Sequence, residues 1–256
     1  MIRLKSKKEI EIMKEGGKRH MEILNTLRNS VNIGESVERI NDLAEKEVKK
    51  SGGESAFLNY RPCGAGRPYP ASVCVSVNEE IVHGIPNEKP KILKSGDIVS
   101  IDLGFKYKGL ITDSAITVCV GKCSKEAFRL INSTEEALYK GIEAVSLGGN
   151  IGDIGYAIER YIKKSKFSNV KGLAGHGVGF EVHEDPYVQN IGRRGSGEEI
   201  VSGMVLAIEP MLAFGNGDIE LLDDGFTYKT ADDTLSAHFE HTVAITDDEV
   251  IVLTGQ

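Results

Sequence analysis

From Ile10 onward, small or apolar residues fall at Ile10, Met13, Gly17, Met21, Leu24 and Leu27. Steps of three and four make that the stripe of an amphipathic helix, with Gly34 beyond its end. A second helical pattern runs over residues 35–50 (Val37, Ile40, Leu43, Ala44, Val48) and stops at Gly52 and Gly53, as a glycine-capped helix does. Residues 72–77, 97–105 and 110–120 are then rich in β-branched side chains and separated by turn residues, which predicts strands. After Gly121 the order repeats: helices over 124–145 and 151–164, then strands over 204–208, 218–222, 226–230, 235–245 and 250–253. No residue-level repeat and no linker separates residues 1–121 from 122–256. The pattern therefore predicts one α+β domain over residues 1–256, made of two similar helix-then-strand halves around a shared sheet.

Carboxylates stand where carboxylates are expensive. Asp102 lies inside the otherwise apolar run Ile98-Val99-Ser100-Ile101-Asp102-Leu103. With residues 106–109 as the hairpin loop, Phe105 pairs with Leu110 and Asp102 directly faces Asp113. Facing residues have Cβ atoms ~4.5–5.5 Å apart, where like charges destabilise a sheet unless something positive sits between them. Glu209 ends the apolar run Met204–Ile208 and is locked by Pro210, and Glu240 lies in Ala237-His238-Phe239-Glu240-His241. His176 is flanked by Gly175 and Gly177, which let backbone and ligand approach closely. Two divalent cations would bring four positive charges against the four negative charges of Asp102, Asp113, Glu209 and Glu240. Oxygen-rich ligation with one imidazole suits Mn, Fe, Co or Zn in a two-metal hydrolytic site. His83 and His183 are candidates for stabilising a tetrahedral intermediate.

Composition narrows the setting. The 256 residues are 40% hydrophobic and 27% charged, an ordinary globular balance. A net charge of -7 argues against a specific nucleic-acid partner, which would need clustered cations. No apolar run approaches the ~18 residues of a membrane span, and the charged N-terminus lacks a signal-peptide core. A cytoplasmic protein with no membrane partner is expected. Cys63, Cys74, Cys119 and Cys123 form no CxxC pair, so reduced cysteines are expected. No GxGxxG, P-loop, HExxH or GxSxG pattern occurs.

The segments Ser76–Pro86, Gly96–Gly104, Thr112–Ala115, Gly175–Gly179 with His183–Pro186, Ile208–Met211 and Phe239–Thr242 resemble, in order and over nearly the whole chain, the type 1 methionine aminopeptidases of the pita-bread fold. The resemblance implies a curved antiparallel sheet with a central dinuclear metal site. Asp102, Asp113, His176, Glu209 and Glu240 would ligate two metals, Asp113 and Glu240 bridging them. Glu209 would also act as general base, His183 would contact the scissile carbonyl, and His83 the scissile nitrogen.

By the same resemblance, the substrates are N-terminal methionyl peptides and nascent chains with a small second residue, from which the initiator methionine is excised. Tyr60, Tyr69, Cys74 and Phe226 match the pocket for the methionine side chain, aromatic and sulfur contacts that suit a thioether. Residues 61–68 form a longer connection than is usual in the family. His238 stands where a glutamine is common, two residues before Glu240 on the same face of the strand, in reach of a contact behind the ligands. Lys5, Lys7, Lys8, Lys14, Lys18 and Arg19 are the candidates for a transient ribosome contact, with a solvated helix face as the simpler reading. A monomer is expected. Two other readings stand beside this one: a proline-specific peptidase of the same fold, whose relatives generally carry an extra N-terminal domain, and a metal-free binding module, which would have lost ligands.

Overall fold

The polar run before Ile10 sets the start of the first helix. In the computed structural model, which describes residues 1–62 and 64–255, the Ser6 amide donates to Glu9 at 2.7 Å while Ser6 Oγ accepts from the Glu9 amide. This reciprocal cap opens α1 (Lys7–Ser30), whose buried face carries Ile10, Met13, Gly17, Met21, Leu24 and Leu27 as the spacing predicts. Ser36 caps α2 (Val37–Lys50). The strands β1 (Glu54–Ser55), β2 (Cys74–Val77), β3 (Glu80–Val82), β4 (Ile98–Tyr107) and β5 (Leu110–Cys119) follow. Then come α3 (Lys125–Glu143), α4 (Ile151–Ile162), β6 (Ser168–Asn169), β7 (Gly175–Gly177) and β8 (Glu184–Val188). The chain ends with β9 (Val205–Ile208), β10 (Met211–Ala213), β11 (Ile219–Leu221), β12 (Tyr228–Thr230), β13 (Ser236–His238), β14 (His241–Ile245) and β15 (Val250–Val252).

Two layers result, with helices on one face of antiparallel strands. Leu24, Leu27 and Ile40 of α1 and α2 pack on Val75, Val99, Ile101 and Leu103 of β2 and β4. Leu130, Ile154 and Ile158 of α3 and α4 share a core with Leu206, Ile208 and Val243 of β9 and β14. The order β15-β14-β9-β7-β8 forms the largest sheet, and β1-β4-β2 with β5 on β4 forms the next. These two meet along β5. The Glu240 amide donates to the Ala115 carbonyl at 3.0 Å, and the Ala115 amide to the Glu240 carbonyl at 3.3 Å. On either side of that bridge, Thr117 Oγ1 donates to the His238 carbonyl at 2.7 Å and Thr242 Oγ1 to the Asp113 carbonyl at 2.7 Å. Backbone that sequence places far apart is thereby zipped together under the site.

Several expectations need correction. The β4–β5 turn is Lys108–Gly109 alone, both at positive φ (48° and 85°), and Tyr107 pairs with Leu110. Two-residue hairpins favour such left-handed turn residues because their twist matches the strands. Asp102 therefore faces Ala115, and Asp113 faces Gly104. The slip is two residues, which keeps every side chain on its face, so Asp102 and Asp113 remain diagonal neighbours. The strand expected over 235–245 is broken at Phe239–Glu240, where the chain passes from β13 to β14. Cys119 and Cys123 are not reduced: they form a disulfide across the turn after β5, their Cα atoms 6.0 Å apart. Compartment arguments overlook such a local closure, because the turn alone brings the two cysteines within bridging reach. Cys74 is a free, buried thiol, and Cys63 lies outside the described residues.

Candidate metal centre

Side chains from three strands and two strand junctions converge on one cleft. Asp102 comes from the middle of β4, between Cys74 of β2 and Ala115 of β5. Asp113 comes from β5, His176 from β7, Glu209 from the link between β9 and β10, and Glu240 from the link between β13 and β14. Asp113, His176 and Glu240 each offer a ligand atom within 4.8 Å of the others. Asp102 and Glu209 line the same inner cavity of about 60 Å³. The flanking glycines of His176 are dictated by space: a Cβ at Gly175 would sit 2.2 Å from the Ala207 carbonyl oxygen, and one at Gly177 would sit 2.2 Å from that of Asp185.

Burial dominates the electrostatics. Desolvation, with mutual repulsion behind it, pushes the carboxyls of Asp102 and Glu240 well above their ordinary range. It raises those of Asp113 and Glu209 to about 8. Among the described residues, no lysine or arginine pairs with any of the four. Asp102 Oδ1 and Glu240 Oε1 are buried with no hydrogen-bond partner, which is costly unless a cation is the partner. His176 Nδ1 lies 2.9 Å from the Gly177 carbonyl, an acceptor only, so Nδ1 carries the proton and Nε2 keeps its lone pair. Burial pushes the His176 pKa down to about 3, which keeps the imidazole in its neutral, ligating form. Acidic oxygens with orphaned lone pairs and one oriented imidazole fit divalent cations.

The remaining residues singled out by sequence gather around the cluster. His183 stacks edge-on against His176, ring centroids 4.4 Å apart, and its Nδ1 lies 2.9 Å from Tyr60 Oη. His83, held at φ 59°, lines the same cavity. Tyr69 and Phe226 meet edge to face at 5.3 Å, with Cys74 buried beside them. Asp224 fixes Phe226 by accepting from its amide at 2.8 Å. His238 is buried, with Nε2 3.4 Å from Glu209 Oε2, so its neighbour is Glu209 rather than Glu240. Phe57, Pro62 and Val82 also line the cavity. Sequence reasoning missed them because an apolar residue, in a loop like Phe57 and Pro62 or at a strand end like Val82, carries no chemical signal of its own. The inner cavity opens into a groove of about 590 Å³ that shares His83, His176, His183 and Glu209 with it and adds Leu173, Tyr187 and Met211.

The N-terminal cations do not form one face. Lys5 is buried against Glu184 at 2.5 Å, and Arg19 is engaged by Glu15 and the Ser51 carbonyl. Lysine was read as solvated because it is rarely buried without a partner, and the partner lies 179 residues away.

Helices over paired antiparallel sheets, with a buried acidic and imidazole cluster between the sheets, define a pita-bread metallohydrolase. The profile of metallopeptidase family M24 matches residues 11–247, and the chain belongs to that family. It is 44% identical over 257 residues to a methionine aminopeptidase of Aquifex aeolicus, covering 99% of this chain and 98% of that protein. The crystal structure of a methionine aminopeptidase from Thermotoga maritima superposes with a TM-score of 0.94 at 39% identity, covering all of both chains. A prolidase from Pyrococcus furiosus shares the fold alone, with a TM-score of 0.74 at 22% identity over 99% of this chain and 65% of that one.

Proposed function

We propose that this chain is a dinuclear methionine aminopeptidase, which removes the initiator methionine from nascent or free polypeptides when the second residue is small. The observation that carries the reading is the cluster of four carboxylates, with Asp102, Asp113 and Glu240 buried and the Glu209 side chain 12% exposed, around one neutral imidazole and, among the described residues, with no lysine or arginine paired to it. Full-length similarity to methionine aminopeptidases supports the choice of substrate.

Asp102, Asp113, His176, Glu209 and Glu240 would hold two divalent ions, of Mn, Fe, Co or Zn. When bound, such a pair supplies a water of lowered pKa and polarises a carbonyl. Glu209, at the cavity wall, would accept a proton from the attacking water. His183, its ring fixed by Tyr60, donates from Nε2 to the oxygen of the scissile carbonyl as negative charge develops there. His83, which lines the same cavity, takes the scissile nitrogen. Tyr69, Cys74 and Phe226, with Tyr60 at the entrance, receive the methionine side chain, and the thioether sulfur suits the edge of an aromatic ring. His238 lies behind Glu209, its Nε2 3.4 Å from Oε2, with neither ring nitrogen hydrogen-bonded among the described residues.

The chain acts as one catalytic domain, monomeric and cytoplasmic, with halves at 1–121 and 122–256. No helix among the described residues is long and apolar enough to cross a membrane. A ribosome contact, if made through the N-terminal helix, would use Lys7, Lys8, Lys14 and Lys18, since Lys5 is buried. Substrate class is tested with metal-reconstituted protein on Met-Ala-Ser, Met-Leu-Ser and a matched Xaa-Pro peptide. Methionine release from the first, slower from the second by about 10² or more, is expected. Comparable rates on the first two, or preference for the proline peptide, would contradict the reading.

A further inference from the structure

The turn that presents His183 is closed on a buried carboxylate. Glu184 Oε1 accepts from the Phe180 amide at 2.6 Å and from the Glu181 amide at 2.9 Å. Its other oxygen accepts from Lys5 Nζ at 2.5 Å, and the two side chains are only 1% and 3% exposed. The Lys5 ammonium also donates to the Arg3 carbonyl at 3.0 Å, and the Lys5 amide donates to the Gly203 carbonyl at 2.7 Å. Gly179 leaves the channel for the lysine stem, because a Cβ there would lie 2.4 Å from Lys5 Cε. The segment before α1 is thus threaded between the His183 turn and the residues leading into β9.

We propose that Lys5 and Glu184 are positioning residues for the peptidase reaction, locking the 180–184 turn so that His183 meets the scissile carbonyl. The inference rests on the role given to His183 above. A buried ion pair is weak evidence for stability, since apolar replacements of similar volume are often neutral or better. Its use here is geometric. One carboxylate satisfies two amide hydrogens and an ammonium at once, so a shift of the turn would have to break at least one of these bonds. Tyr60 holds the His183 ring, and Glu184, the next residue, ties the Phe180 and Glu181 amides of the same turn. Misplacement of a reacting group by about 1 Å costs on the order of 10² in rate.

The test is a double-mutant cycle on metal-reconstituted protein hydrolysing Met-Ala-Ser: parent, Lys5→Met, His183→Ala and the pair combined. It is run where circular dichroism shows each variant folded. Lys5→Met is expected to lower kcat by about 10- to 100-fold with KM changed less than about threefold, and to add no more than about twofold to His183→Ala. A merely structural role would give the same loss in both backgrounds, and that result, or an unchanged kcat in Lys5→Met, overturns the proposal. Glu184→Gln keeps the shape and one amide-accepting oxygen, and it carries the same cycle with the same expectation should Lys5→Met not fold. An inactive parent would overturn the aminopeptidase reading itself, whereas an active parent with a multiplicative cycle overturns the positioning role alone.

Discussion

Replacing Glu209 with glutamine should stabilise the metal-free protein at neutral pH and weaken its response to divalent cations. Burial holds the Glu209 carboxyl up at about 8 against an ordinary 4.5. Over that interval Glu209 binds more proton in the folded chain than in the unfolded one, so its contribution to stability is full below pH 4.5 and is lost as pH rises through about 8. At about 1.4 kcal/mol per pH unit, the loss accumulated by neutral pH is about 3 kcal/mol. For a chain of 256 residues, that corresponds to roughly 10 °C in Tm. Glutamine has the shape of glutamate without the charge and escapes this loss, while Asp102, Asp113 and Glu240 keep part of the slope in both proteins. The chain has no tryptophan, so the assay is thermal melting by far-UV circular dichroism, in chelator, across the acid-to-neutral range. The two Tm curves should meet near the acid end and separate by up to about 10 °C near neutrality, the variant being higher. Added Mn or Co should then raise the parent more than the variant. A Glu209→Gln protein that melts below the parent at every pH in chelator would refute the argument.

Other perturbations probe other layers. Gly177→Ala places a Cβ 2.2 Å from the Asp185 carbonyl oxygen and 2.8 Å from its carbon. β7 and β8 must then part, costing about 1–3 kcal/mol and weakening metal affinity; calorimetric titration showing parent-like affinity would count against it. His183→Ala should lower kcat by about 10²–10³ with little change in KM, and steady-state kinetics showing a change in KM alone would remove its role at the carbonyl. Glu15 is held down at about 2 by hydrogen bonds from Tyr107, Lys108 and Arg19. Its contribution to stability is present above about pH 4.5 and lost as pH falls through about 2. Glu15→Gln should therefore flatten the acid limb of the melting profile, and an unchanged limb would show the three bonds to be without effect.

What could be read from sequence follows from what each signal measures. The stripe from Ile10 to Leu27 predicted α1 because a buried helix face is a local property. Asp102 and Asp113 stood out because carboxylates in apolar strands need a compensating partner, and a two-residue error in register left that inference intact, since faces repeat every two residues. His176 was legible through its glycines, which the close carbonyls of Ala207 and Asp185 require. By contrast, β7 is Gly-His-Gly and β8 contains Pro186, residues whose own strand preference is low. Those strands exist because neighbouring backbone pairs with them. The break at Phe239–Glu240 depends on Ala115, more than 120 residues earlier in the chain, and the burial of Lys5 depends on Glu184. No local pattern carries either.

The central claim, that the acidic cluster is a hydrolytic metal site, is tested most directly by stripping the protein and restoring metal. Methionine release from Met-Ala-Ser is followed in chelator and then with Mn, Fe, Co or Zn added in turn. The account predicts no turnover in the stripped protein and recovery as the first one or two equivalents per chain bind, lost again by orders of magnitude in Asp113→Ala or Glu240→Ala. Full turnover in chelator would contradict it.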